Sequence, residues 1–111
     1  MLVASIADLL AECGGFDWDE GNIGKNWAKH RVTDWECEEV FFNQPLALAS
    51  DVEHSRTEAR YYALGQTDRE RLLSVSFTIR RRLIRPISVR DINARERRAY
   101  ESTKEDTNVQ G

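Results

Sequence analysis

The stretch Arg71-Leu72-Leu73-Ser74-Val75-Ser76-Phe77-Thr78-Ile79-Arg80 reads with a period of two. Leu73, Val75, Phe77 and Ile79 fall on one side of an extended chain, and Ser74, Ser76, Thr78 and Arg80 on the other, because successive side chains of a strand point to opposite faces. One face suits an apolar core; the other is a row of hydroxyls ending in a guanidinium. Leu83–Val89 repeats the pattern more loosely: Leu83, Ile87 and Val89 share one parity, and Ser88 and Arg90 share the other with Ile84 and Pro86. Arg85 falls on the apolar parity, which predicts a strand end, a bulge or a slipped register, and Pro86 predicts an edge or bulge. With the apolar sides of both strands against helices, Ser74, Ser76, Thr78, Arg80, Ser88 and Arg90 share an open face.

Working outward, Leu46–Asp51 and Arg60–Gln66 read as two further strands, with a polar connection between them and a turn at Gly65–Glu70. Thr33-Asp34-Trp35-Glu36 is a capping box that starts a helix to about Phe42, and Asn43-Gln44-Pro45 stops it. Asp19 caps a helix over about 20–30, with Asn22, Lys25, Asn26 and Lys29 outward and Ile23, Trp27 and Ala28 toward the core. Phe16-Asp17-Trp18 reads as an edge strand, and residues 1–12 as a short apolar-faced helix ended by Gly14-Gly15. Asn93 with Glu96 caps a last helix over about 94–101. The order β-α-α-β-β-β-β-α is α+β, an antiparallel sheet packed against helices. It divides into an N-terminal extension (1–15), one domain (16–101) and a flexible tail (102–111). Trp27, Trp35, Phe41 and Phe42 are expected in the core, and alternation exposes one of Tyr61 and Tyr62.

A chain of 111 residues, 41% hydrophobic, has room for one packed domain and excludes wholesale disorder. No apolar run reaches the roughly 18 residues of a membrane span. The opening run lacks a basic segment and is interrupted by Asp8, so a cytoplasmic protein with Cys13 and Cys37 reduced is expected. The net charge of −3 conceals a split: residues 1–79 carry −7, whereas 80–98 carry eight arginines against Asp91 and Glu96. A localised arginine cluster holds a phosphate chain even on an acidic protein. The competing reading is a solvated, ion-paired surface.

Several chemistries are missing from the sequence. Gly14-Gly15 lacks the Lys-Ser/Thr of a phosphate loop, and His30, His54, Cys13 and Cys37 show no zinc spacing. Nothing demands a cofactor. The residues suit cleavage of RNA through the ribose 2′-hydroxyl, which needs a base, an acid at the leaving oxygen and donors facing the charged phosphate. Arg80 and Arg90 are the candidates to stabilise the phosphate, with Arg85, Ser76 and Ser88 as further RNA contacts. Lys25 and Lys29, neighbours at i,i+4, are candidates to steer the backbone, and His30, His54, Glu58 and Lys29 to serve proton transfer. Lys29-His30-Arg31 is equally what a helix C-terminus recruits, and Asp51 to Arg60 could be only a hydrogen-bonded turn.

The order of these segments resembles the BrnT family of type II toxins, a branch of the RelE-like ribonuclease fold. The matching blocks are Phe16-Asp17-Trp18-Asp19, Lys25-Asn26-x-x-Lys29-His30-x-Val32, Val40-Phe41, Pro45-Leu46-Ala47, His54-Ser55-x-x-Glu58-x-Arg60, Leu64-Gly65, Arg71-Leu72-Leu73-x-Val75, Arg85-Pro86-Ile87-Ser88-Val89-Arg90 and Glu96-Arg97-x-x-x-Tyr100-Glu101. The resemblance implies a metal-independent endoribonuclease that halts translation by cutting RNA. It also implies a BrnA-like antitoxin partner that blocks the toxin and carries the DNA-binding module, so that operator DNA is reached only through it; no membrane is involved. It gives weight to Lys25, Lys29, His30, Arg80 and Arg90, with His54 and Glu58 behind them. The chain departs from the family at Asn22, where relatives often have Lys, and at Arg31, where they usually have Gly. Its first fifteen residues have no counterpart. The alternatives are a non-catalytic module that binds nucleic acid or protein through the same arginines, and a decayed toxin.

Overall fold

The computed structural model describes residues 5–54 and 57–110, with side chains through Lys104. Residues 1–4 of the expected first helix, and Ser55 of the His54-Ser55 block, lie outside the described residues. The elements are α1 (Ile6–Ala11), α2 (Lys25–His30), α3 (Asp34–Phe42), β1 (Ala47–Ser50), β2 (Tyr61–Gln66), β3 (Leu72–Arg80), β4 (Leu83–Asp91) and α4 (Ala94–Gln110). The strands form one antiparallel sheet in sequence order, β1-β2-β3-β4. The fold is therefore α+β as the periodicity indicates, and it is consistent with the RelE-like type. The final helix runs to Gln110, past the expected end near residue 101.

The inward face of the sheet closes the core. Leu73, Val75, Phe77 and Val89 are fully buried with Ala63, and α3 lays Cys37 and Val40 across them. Phe41 meets Phe77 edge-on at 5.2 Å, and Phe16 meets Phe41 at 5.6 Å. α3 packs closely over Gly65: a Cβ there would stand 2.8 Å from Val40 Cγ1. Both hydroxyl and carboxylate of the Thr33/Glu36 capping box are engaged, which fixes where α3 starts.

Phe16-Asp17-Trp18 is not a strand of the sheet but a single parallel bridge, Phe16 to Ile84. Its backbone nevertheless occupies the free edge of β4, with Asp17 N–H donating to Ile84 O at 2.8 Å and Ile84 N–H to Gly15 O at 2.9 Å. The rest of that edge is covered by side chains. Asn26 Oδ1 accepts from Val89 N–H at 2.9 Å, and Asn22 Nδ2 donates to Pro86 O at 2.9 Å. The helix expected over 20–30 forms only from Lys25, with Gly24 and not Asp19 as its cap; Lys25 and Lys29 face outward as expected, but the asparagines turn in and the apolar side chains out. Asn22 and Asn26 are each only 4% exposed, whereas Ile23 and Trp27 are 57% and 48% exposed. The segment packs on unpaired backbone groups rather than on an apolar surface, and such groups require hydrogen-bonding partners. Trp35 and Phe42 are also exposed rather than in the core, and only Phe41 of the four expected aromatics packs there. α2 ends in a left-handed Arg31 (φ 55°), so the usual glycine is not needed to close it. The guanidinium of Arg31 lies 5.3 Å over the Trp27 ring.

β3 and β4 are joined by Arg81 and Arg82, both left-handed (φ 52° and 62°). That two-residue geometry follows the twist of a hairpin but is normally left to Asn and Gly. The anomaly at Arg85 is a bulge. Ser76 pairs with Ser88 and Phe77 with Pro86, so Ile87 has no partner and the parity of β4 switches there. Arg85 thereby stands opposite Thr78, on the outward face.

Candidate active site

The outward face of the β3–β4 hairpin carries Arg80 from β3 and Arg85 and Arg90 from β4, the latter two opposite Thr78 and Ser74. At about 3.3 Å per residue, the span from Arg80 to Ser74 is roughly 20 Å, so the three guanidinium groups form a row. They also meet carboxylates in the same way. Arg80 Nε and Nη2 donate to Glu58 at 2.7 and 2.9 Å; Arg85 Nη1 and Nη2 to Asp19 at 2.9 and 3.0 Å; Arg90 Nη1 and Nη2 to Glu96 at 2.8 and 2.9 Å. Asp17 approaches Arg85 as well, at 3.5 Å. The Arg80 and Arg90 side chains remain 49% and 39% exposed, and that of Arg85 is 14% exposed.

Each carboxylate holds two oxygens in the fork of a guanidinium, the arrangement a phosphate also adopts. Hydrogen bonding by Arg80 lowers the Glu58 carboxyl from its ordinary value, and Arg85 does the same to Asp19. Burial pushes Glu96 up, but the hydrogen bonds from Arg90 and the Asn93 amide outweigh it and leave Glu96 lowered. In this arrangement Glu58 clamps Arg80 through both carboxylate oxygens and is held in its charged form.

The β1–β2 connection folds over one end of this face. Thr78 Oγ1 donates to Ala59 O at 2.7 Å, and Asp51 N–H donates to Arg60 O at 2.9 Å, which extends the ladder past the strand ends. From the other side, α4 begins with Asn93 and Glu96 capping one another, and Ser74 Oγ reaches Glu96 at 3.3 Å. Between them lies a cleft of about 230 Å³ whose walls include His54, Arg60, Tyr62, Ser76, Ser88 and Arg90. A second depression, shared through His54 and Arg60, continues to Glu58 and Arg80. His54 stands where the two meet. Its Nδ1 lies 2.9 Å from Asp51 Oδ2 and 3.1 Å from Oδ1, and its backbone N–H also donates to Oδ1. Tyr62 hydrogen-bonds the same carboxylate. Burial raises Asp51, but the hydrogen bonds from His54 and Tyr62 outweigh it, so the carboxyl lies below its ordinary value. Burial and then Asp51 push the Tyr62 hydroxyl up.

The structure thus gathers Arg80, Arg85, Arg90, Ser76, Ser88, His54 and Glu58 on one face. It does not bring His30, Lys25 or Lys29 there. The His30 carbonyl accepts from Arg71, whose guanidinium also holds Asp91 and Glu36 on the helix side of the sheet. Lys25 and Lys29 are exposed on α2, beside the edge of β4. Position 22 is buried, so the Asn there is a strand-edge cap and not a lost phosphate contact. Sequence reasoning missed Asp51 and Tyr62 as members of the site. The three-residue spacing of Asp51 and His54 and the outward parity of Tyr62 were the available signals. Among the described residues no three His, Cys, Asp or Glu side chains converge as a metal site requires, and no helix is long and apolar enough to cross a membrane.

No curated protein matches the chain. A family model described as the ribonuclease toxin BrnT of a type II toxin–antitoxin system matches residues 18–96, which contain β1 to β4 and every member of the cleft.

Proposed function

The chain belongs to the BrnT family of type II toxin–antitoxin ribonuclease toxins, and on that premise we propose that the outward face of the hairpin is an endoribonuclease site. A ribonuclease toxin has RNA as its substrate and an antitoxin as its partner; the finer reading concerns how this chain cuts. RNA phosphates replace Glu58 and Glu96 in the forks of Arg80 and Arg90, most readily at the exposed Arg80–Glu58 pair, which is weakly held, while the more buried Arg85 supports the row beside them. At the scissile phosphate the 2′-oxygen attacks phosphorus and the 5′-oxygen leaves. Arg80 and Arg90 stabilise the charge that builds on the non-bridging oxygens. Ser76 and Ser88, opposite one another on β3 and β4, contact the phosphate or the ribose between them. His54 moves the proton. The reaction needs no metal, halts translation through loss of message, and is blocked by a BrnA-like antitoxin covering the arginine row.

The observation that carries this reading is the row of three bidentate guanidinium groups beside a cleft that contains a histidine. The test is incubation of the purified chain with RNA, with and without EDTA, beside Arg80→Ala and Arg90→Ala. The expected result is EDTA-resistant cleavage leaving 2′,3′-cyclic phosphate ends, reduced roughly 10²–10³-fold by either substitution. Binding without cleavage instead establishes the non-catalytic module. EDTA-sensitive cleavage overturns the metal-free mechanism.

A further inference from the structure

The ribonuclease reading leaves the working form of His54 unspecified, and the geometry around it supplies one. Asp51 closes the end of β1. It is 5% exposed, and its position is fixed on three sides: the backbone N–H to Arg60 O, the hydrogen bond with Tyr62, and the His54 backbone N–H on Oδ1. A buried carboxylate so held can only accept hydrogen bonds, and His54 Nδ1 lies within 2.9 and 3.1 Å of its two oxygens. In the neutral imidazole this contact places the proton on Nδ1 and leaves the lone pair on Nε2. The His54 side chain is 56% exposed, against 6% for Asp51, so the ring extends from a buried anchor into open cleft.

Resting on the ribonuclease reading, we propose that Asp51 is a positioning residue that fixes the Nδ1–H tautomer of His54, so that Nε2 takes the proton of the RNA 2′-hydroxyl. The O2′–phosphorus bond forms as the phosphorus–O5′ bond breaks. The 2′-hydroxyl proton passes to Nε2, the leaving 5′-oxygen takes a proton from water in the open cleft, and His54 returns its proton to solvent. Tyr62 anchors Asp51 and does not touch the reacting atoms. Among the described residues, the charged groups that line these two depressions with His54, besides Asp51, are Glu53, Glu58 and Arg60 of the connection, Arg80 of β3 and Arg90 of β4. None of the carboxylates among them is within hydrogen-bonding reach of the imidazole, so the tautomer depends on Asp51.

The decisive variant is Asp51→Asn, which has the same shape but presents an N–H₂ group able to donate to Nδ1 and so favours the opposite tautomer. Wild type and variant are compared by RNA cleavage and by ¹⁵N spectra of the histidine rings, with His54→Gln identifying the His54 signals. The expected result is an Nδ1–H signature in wild type, an Nε2–H signature in Asp51→Asn, and a fall in kcat on the order of 10²-fold with KM little changed. A merely structural Asp51 would leave the tautomer as it was in a folded variant, and that result overturns the proposal. So does a wild-type Nε2–H signature, or a variant that cleaves as fast as wild type. A wild type that cuts no RNA overturns the ribonuclease reading and the proton transfer together, whereas a cutting wild type with an equally active variant overturns the role of Asp51 alone.

Discussion

The two faces of the β3–β4 hairpin share one alternating backbone but are held by different forces. Inward, Leu73, Val75, Phe77 and Val89 exclude water and pack against α3. Outward, Arg80, Arg85 and Arg90 each close on a carboxylate from a different part of the chain: the β1–β2 connection, the loop before α2, and the first turn of α4. Apolar contacts cannot be exchanged for anything in solution. The charge pairs can, because a phosphate offers a guanidinium the same two-oxygen face as a carboxylate. The inner face therefore specifies the fold, and the outer face holds its guanidinium groups in charge pairs that the proposed site requires a phosphate to replace.

That contrast breaks if substitutions on the two faces have similar consequences. The largest effect belongs inside. Phe77→Ala removes a fully buried ring that touches both Phe41 and Tyr61, and should cost about 3–5 kcal/mol of stability in denaturant unfolding. The outward Arg90→Ala should leave the unfolding midpoint close to wild type while reducing cleavage by two to three orders of magnitude. If Arg90→Ala instead unfolds the protein, the outer face is structural and the division fails.

A smaller effect sharpens the comparison at the rim where the two faces meet. Asn26→Leu replaces the acceptor for Val89 N–H by an apolar group of similar bulk. It should cost about 1–3 kcal/mol, the penalty for a buried donor left without a partner. Asn26→Asp retains the acceptor oxygen and should recover most of that loss. Equal stability of Asn26→Leu and wild type would show that water satisfies the edge.

How much of this could be read from the sequence follows from the range over which each interaction acts. The strand register of β3 and the boxes Thr33/Glu36 and Asn93/Glu96 follow local rules and appear as expected, but Ser74 and Thr78, expected on an open face, are buried against Glu96 and the β1–β2 connection. Periodicity misplaces the segment around α2 because it supposes an apolar surface beneath it. Its real support is a strand edge, which selects Asn22 and Asn26 and leaves Ile23 and Trp27 outside. Arg85 was visible only as a breach of parity; the unpaired Ile87 that resolves it depends on the partner strand. Of the three arginine pairs, one joins residues six apart, but the others span 22 and 66 positions, which no local pattern reveals. The Asp51–His54 spacing reads equally well as a turn, and only the placement of β2 and β4 makes it the wall of a cleft.

The smallest effect comes from protons, and it separates the faces without a change of shape. Glu96 has its carboxyl lowered because the Arg90 fork and the Asn93 amide outweigh its burial. In acid the unfolded chain therefore takes up a proton on this side chain before the folded protein does. The stability that Glu96 contributes is present above the ordinary carboxylate value of about 4.3 and is lost as pH falls through its lower folded value. The apolar core does not titrate, but the carboxyls of Glu36 and Asp91 that Arg71 holds on the helix side are lowered as well, so the contribution of Glu96 is read as the difference between wild type and Glu96→Gln. The expected outcome is a Tm insensitive to Glu96 ionisation from pH 8 to 6 and falling below about pH 4.3, with a shallower fall in Glu96→Gln. The amide retains a capping acceptor for Asn93 but has no charge to lose. Identical acid slopes in the two proteins would mean that the Arg90 pair adds nothing to the folded state, and that its carboxylate is held only by the cap.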